Sequence, residues 1–210
     1  MNENENENEN EEEGAAEAGP GARKLHRLDP RSLRGIAHPL RMRLLTVLRQ
    51  DGPATASRLA EKLGESSGAT SYHLRQLAAH GFVEDDPERG KGRERWWKAS
   101  MDGMLFDESL YSDPDPAVRG AADLYLHEHA TMHTQEVATW LGSQRDWPEE
   151  WRRSSDLSDF TLRLTAAQAH ELNEKIHELI ESYRDLEPAP GTEGAAQVRL
   201  HTHAFPRSTG

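Results

Sequence analysis

Between Ser66 and Lys98 the chain reads SSGATSYHLRQLAAHGFVEDDPERGKGRERWWK, and two kinds of chemistry lie close together in it. Ser67, Thr70, Ser71, Tyr72, His73 and Arg75 gather hydroxyl, phenol, imidazole and guanidinium groups on a short helical stretch. Hydroxyls donate and accept hydrogen bonds, and a guanidinium offers a rigid fork of donors that matches a guanine edge or a phosphate. Further on, Arg89, Lys91, Arg93 and Arg95 place four cations within seven residues. Such cations neutralise phosphates, which raises affinity and salt dependence but reads little sequence. A ligand with base edges in a groove and phosphates beside it would use both sets.

Positioning these groups requires a helix and a hairpin. Leu74, Leu77 and Ala78 face inward and leave the polar groups outward, while Gly81 ends the helix. Phe82-Val83 and Trp96-Trp97 begin and end a hairpin whose turn, PERGKG, is rich in breakers. Trp96 and Trp97 fall on opposite faces of one strand, so at least one belongs to the core. His73 precedes an inward leucine and suits either a DNA contact or local packing.

Upstream, Asp29-Pro30 reads as an N-cap with proline at the first helical position. HPLRMRLLTVLRQDG opens a helix at Pro39, with Leu40, Leu44, Leu45 and Leu48 on one face and Gly52-Pro53 closing it. Thr55 caps the next helix, Leu59, Ala60 and Leu63 are at core spacing, and Gly64 stops it. Ser66 or Ser67 caps the third. The predicted order is helix–helix–helix–strand–strand.

With these pieces in order, residues 29–98 resemble the winged helix-turn-helix domain of ArsR-like bacterial transcriptional regulators. The motifs that carry the likeness are HPLRMRLLTVL, TASRLAEKLG, ATSYHLRQLAAHGFV and the RGKGRERWW wing. They cover about one third of the chain. The resemblance implies that the third helix enters the major groove of double-stranded DNA and that the wing meets the neighbouring backbone.

The charge distribution agrees. Of the 210 residues, 1–20 carry eight acidic side chains and no basic one. Residues 21–100 hold 16 Lys and Arg against 9 Asp and Glu, a net +7. Residues 101–210 hold 9 against 20, a net −11, which completes the overall −12. A basic block around the groove-reading elements is the electrostatic footprint of nucleic-acid binding, whereas the acidic remainder is repelled by phosphate. MNENENENENEEE is low in complexity with nothing to bury, so residues 1–20 are expected to be a disordered acidic tail. It lacks the features of a secretory signal, and no apolar run is long enough to span a bilayer. With no cysteine, neither disulfides nor thiolate ligands are available. A soluble cytoplasmic protein without membrane association is the expectation.

Residues 25–100 are thus the expected DNA-binding domain, and 115–210 an α+β domain for dimerisation or effector binding. Asp115-Pro116 starts a long helix to about Leu141, with Val118, Ala122, Tyr125, Leu126, Ala130, Met132, Val137 and Leu141 on one broad face. That breadth suggests burial against the helix's own domain and a partner subunit. DFTLRL (159–164) and QVRLHTHAF (197–205) alternate like strands around a helix opened by the capping box Thr165–Gln168. The expected fold class is therefore mainly α with small β: an N-terminal winged helix, a long linking helix and a small β-α-β C-terminal domain.

His129, His133 and Glu136 fall within about 60° of one another by helical winding. Two imidazoles four apart can share a divalent metal such as zinc or nickel, and Glu136 could add an oxygen. Hydrogen-bonded interface histidines would use the same spacing. Related ArsR-like regulators include metal sensors, some with His and carboxylate ligands in a helix near the C-terminus. The cysteine motif of the thiolate sensors is absent here, and HEHATMH misses the HExxH of zinc hydrolases because residue 131 is Thr. His201 and His203 share one strand face. Trp140, Trp147 and Trp151, with Tyr125 and Phe160, suit either an apolar effector pocket or ordinary packing. No nucleophile–base pair, paired catalytic carboxylates or phosphate-cradling glycine loop stands out, so an enzyme is not expected. The leading expectation is a sequence-specific regulator of transcription, a homodimeric repressor relieved by a small-molecule or protein effector. The rival is a protein-interaction module whose winged helix docks a partner instead of DNA.

Overall fold

The computed structural model describes residues 24–89, 94–189 and 191–207. They fall into two compact units, Met1–Thr134 and Gln135–Gly210. In the first, α1 (Pro30–Ile36) begins at Asp29, whose carboxylate accepts from the Ser32 N–H while the Ser32 hydroxyl caps the Asp29 N–H. This is a reciprocal capping box with serine at its third position. At the start of α2 (Pro39–Gln50), His38 Nδ1 accepts the Leu40 N–H at 3.1 Å, and proline occupies N1, where its missing N–H costs nothing. Thr55 caps α3 (Ala56–Leu63), and Gly64 stops it at φ +68°, a conformation an L side chain adopts only with strain. Ser66, rather than Ser67, caps α4 (Ser67–Ala79).

The hairpin follows. β3 (Val83–Asp85) and β4 (Trp96–Ala99) pair antiparallel, with Val83 opposite Ala99 and Asp85 opposite Trp97. A two-residue strand before α3, β2 (Ala54–Thr55), joins the other edge of β4 and gives the order β2-β4-β3. Helix, helix–turn–helix and wing appear in the predicted order, and the unit is a winged helix. A second sheet was not foreseen. β1 (Leu25–Arg27) pairs in parallel with β5 (Gly103–Leu105), joining residues that are 78 apart in sequence.

The core draws on every helix of this unit. Leu33, Ile36, Leu44, Leu45, Leu48, Leu59, Leu74, Leu77 and Phe82 are almost wholly inaccessible. Each such side chain contributes roughly 1.5–3 kcal/mol on burial. Trp97 is buried and Trp96 is not, which resolves the alternation of that strand. Val118, Ala122 and Tyr125, at i, i+4 and i+7 near the start of α5 (Pro116–Ser143), complete the cluster. Burial raises the Tyr125 phenol to about 12.

The second unit has helices α6 (Glu149–Ser154) and α7 (Ala166–Ser182). Thr165 and Gln168 form the predicted capping box at the start of α7. The expected β-α-β arrangement requires correction: neither 159–164 nor 197–205 forms a strand. Phe160, Leu162, Val198, Leu200 and Phe205 are all more than half exposed. Alternation supplies a two-sided pattern, but a strand exists only where a neighbouring backbone closes its ladder. Among the described residues, all β structure therefore lies in the first unit. None from Gln135 onward is buried, so the broad apolar face expected of α5 is realised only in its first turns.

Candidate nucleic-acid interface

The turn between α3 and α4 orients one helix against the other, and α4 then sorts its side chains by winding. Thr70, Leu74 and Leu77 lie at i, i+4 and i+7 and have no exposure. Ser67 and Arg75 are exposed, Ser71 is half-buried between them on the same row, and Tyr72 stands 52% exposed beside it. Thr70 is thus a correction to the expected contact set. Its spacing to Leu74 and Leu77 marked it as a core position, and its hydroxyl is buried without a partner.

His73 belongs to packing as much as to the surface. Its ring lies 4.3 Å from that of His38, centroid to centroid, and Tyr72 meets it edge-on at 5.1 Å. Burial lowers the pKa of both histidines, with Arg41 pushing the same way and Glu65 opposing. A neutral imidazole at His73 can donate or accept one hydrogen bond but brings no charge to a phosphate.

On the wing, Arg95 stacks over Trp97 at 4.1 Å and pairs with Asp85 at 2.9 Å. Arg89 sits 3.7 Å from the buried Asp86 carboxylate. Both arginines remain more than half exposed, so their planes are set while donors stay available. Lys91 and Arg93 lie outside the described residues. Arg75 differs from its wing neighbours: among the described residues it meets no carboxylate.

These groups converge. A cleft of about 340 Å³ is lined by Ser57 from the first turn of α3, Ser71 and Arg75 from α4, and Glu94, Arg95 and Trp97 from the wing. The two guanidiniums and the hydroxyls of Ser57 and Ser71 suit a phosphate, with the Glu94 carboxylate at the cleft's edge opposing it. Sequence reading missed Ser57 and Arg58. Arg58 lies over the Trp96 ring at 4.9 Å. The signal was present as two polar residues in the first turn after the Thr55 cap.

The metal reading finds little support. His129 and His133 do meet, with ring centroids 4.4 Å apart, and Tyr125 stacks on His129. Glu136 instead accepts from Arg199 Nε at 3.1 Å and faces His201 Nε2 at 2.8 Å. Among the described residues, no group of three or more His, Asp or Glu is placed to hold a metal ion. The aromatic set divides likewise: Trp140, Trp147 and Trp151 contact in series, whereas Phe160 is 85% exposed. No helix among the described residues is long and apolar enough to cross a membrane.

Residues 36–86 match the protein-family model described as a helix-turn-helix domain, about a quarter of the chain. Among solved structures, the chain is similar to a possible transcriptional regulator for arsenical resistance. Identity is 24%, covering 61% of this chain and 98% of that one, with a TM-score of 0.30. It is similar to RV1404 from Mycobacterium tuberculosis at 17% identity, over 76% and 82% of the two chains, with a TM-score of 0.29. Wild-type ZitR of Lactococcus lactis in complex with DNA is 16% identical over 83% and 86%, with a TM-score of 0.26. No curated protein matches the chain.

Proposed function

We propose that this chain, which carries a helix-turn-helix domain within a winged-helix unit resembling that of ArsR-like regulators, is a sequence-specific double-stranded DNA-binding regulator of transcription. The observation that carries this reading is the row Ser67, Ser71, Arg75 on the outer face of α4, opposite the buried row Thr70, Leu74, Leu77. That row opens on a cleft shared with Arg95 of the wing. α4 is the groove-reading helix, Arg75 its bidentate donor, and the wing arginines together with Ser57 grip the adjoining backbone.

The working form is a homodimer. Leu179, Tyr183, Leu186, Val198 and Leu200 are more than 60% exposed in a unit that buries nothing among its described residues, and a second copy would cover them. Two α4 helices about one DNA turn apart would then read an imperfect palindrome. Repression follows from occupying a promoter, and an effector bound by the second unit would relieve it by changing the spacing of the two heads.

Genomic fragments shifted by purified protein at moderate salt, but not by a protein carrying Arg75→Ala, would support the assignment. Failure to retard any fragment at micromolar concentration and low ionic strength would refute it. Sedimentation equilibrium across the same concentrations tests the dimer.

A further inference from the structure

The acidic segment at residues 1–20 has no place in the proposed reading, yet it is joined to the unit that presents the cationic face. Its eight glutamates come with no lysine or arginine, and in MNENENENENEEE the residues between them are asparagines. The segment cannot neutralise itself and has almost nothing apolar with which to build a core. It lies outside the described residues, as do residues 21–23, but the chain from Lys24 onward is anchored. The Lys24 N–H donates to Asp102 at 2.8 Å, β1 is locked in register with β5, and the His26 ring lies 5.0 Å from Phe82, just beyond the end of α4.

Reach is ample. α4 has 13 residues and is about 20 Å long, whereas 20 residues of extended chain span up to about 65–70 Å. Charge complementarity and the clustering of guanidiniums at one cleft point to where such a chain would go. Several carboxylates of the first unit already pair with a cation, Asp51 with Lys62, Glu65 with Arg43, Glu84 with Lys98, Asp107 with Arg27 and Asp115 with Arg34. Among the described residues, Arg58 and Arg75 meet no carboxylate, as is also true of Arg31, Arg41 and Arg119, but only Arg75 shares a cleft with a second guanidinium, that of Arg95, with Glu94 at its edge. These three flank the region where α3, α4 and the wing come together.

We propose that residues 3–17 occupy this Arg58–Arg75–Arg95 face in the DNA-free protein and act as a tethered competitor of the duplex. The inference rests on the DNA-binding reading, because the competitor matters only if the face binds phosphates. Tethering gives the segment a local concentration in the millimolar range, so weak carboxylate–guanidinium pairs suffice to hold it. Random-sequence DNA must displace it using phosphate contacts alone. An operator adds base contacts; the segment lowers both affinities by the same factor, so random DNA falls below useful occupancy while the tighter operator is retained.

Because the chain has no cysteine, Asn8→Cys provides a unique attachment point for a spin label. In about 50 mM salt the label is expected to broaden the amide signals of Ser57, Ser71, Arg75 and Arg95, with recovery at about 500 mM salt, where such pairs are screened. Absence of salt-dependent broadening at these positions overturns the proposal, and this measurement uses no DNA. In parallel, the variant with all eight glutamates of residues 1–20 changed to glutamine should bind a random duplex on the order of tenfold tighter at low salt, converging on the parent at high salt. Equal affinities at every salt also overturn it. An affinity gain without broadening overturns docking in favour of simple repulsion. If neither protein binds any duplex while broadening is present, the DNA-binding reading fails and the contact stands.

Discussion

His38 and His73 pack ring against ring across the start of α2 and the middle of α4, centroids 4.3 Å apart, and burial lowers the pKa of both. His38 is fixed in one role, because its Nδ1 accepts the Leu40 N–H and cannot do so once protonated. Protonating both would place two imidazoliums in contact, next to the partly buried Arg41. Glu65 and Glu128 oppose this, and Tyr72 touches His73 edge-on.

The pH dependence follows. Both folded pKa values lie below the ordinary 6.5, chiefly through burial, and His80 is lowered in the same way. Above about pH 6.5 neither state binds these protons, and stability is at its plateau. As pH falls below that, the unfolded chain takes up protons that the folded chain refuses, so stability drops until the folded values are passed. Thermal unfolding should show a constant Tm from pH 8 to about 7 and a decline towards pH 5. His73→Gln should flatten that decline, and an unchanged slope would remove the pair from the explanation.

Gly35 in α1 is buried against His80, the residue that ends α4. A Cβ at this position would fall well inside van der Waals contact with the Cγ, Nδ1 and Cδ2 atoms of the imidazole ring. Alanine is favoured over glycine in a helix by up to about 1 kcal/mol, so propensity alone predicts that Gly35→Ala stabilises. Overpacking costs roughly 1–3 kcal/mol or more, and the clash wins. Urea unfolding should show a net loss of about 1–2 kcal/mol, recovered in the double variant Gly35→Ala with His80→Ala.

The buried hydroxyl of Thr70 makes the opposite test. It has no exposure and no hydrogen-bond partner. Thr70→Val removes the orphaned group at nearly constant volume, so stability should be unchanged or rise by up to about 1 kcal/mol, with DNA affinity unaltered. A loss of binding with normal unfolding would return Thr70 to the contact face.

Much of this architecture was legible because helix ends are local events. Asp29, Thr55, Ser66, Thr165 with Gln168, and Gly64 each satisfy backbone groups within three or four residues, so their types announce the boundaries they make. The β1–β5 pair was not legible. Three residues at each strand carry no periodicity, and their partnership joins residues 78 apart. Segments 159–164 and 197–205 erred in the other direction, since alternation says which faces differ but not that a ladder partner is present. In the site, the row Ser67, Ser71, Arg75 was readable, whereas Thr70 was misread because its polarity was weighed above its spacing to Leu74 and Leu77. Ser57 and Arg58 were missed because their role depends on the wing folding back beside α3.

On the proposed function, Arg75 and Arg89 separate reading from gripping. Arg75 projects from the outer row of α4 with no carboxylate to share among the described residues, so its fork is available to a base edge. Arg89 lies on the wing, 3.7 Å from Asp86, and on the proposed function it supplies charge to the phosphate backbone. Arg75→Ala should weaken operator binding by about 1–3 kcal/mol and narrow the gap to random DNA. Arg89→Ala should weaken both alike and flatten the slope of log K against log salt by about one phosphate contact. Fluorescence anisotropy titrations at three or more salt concentrations give both quantities. If Arg75→Ala lowers affinity for operator and random duplex equally, that arginine is a phosphate clamp, and base reading passes to Ser67, Ser71 and Tyr72.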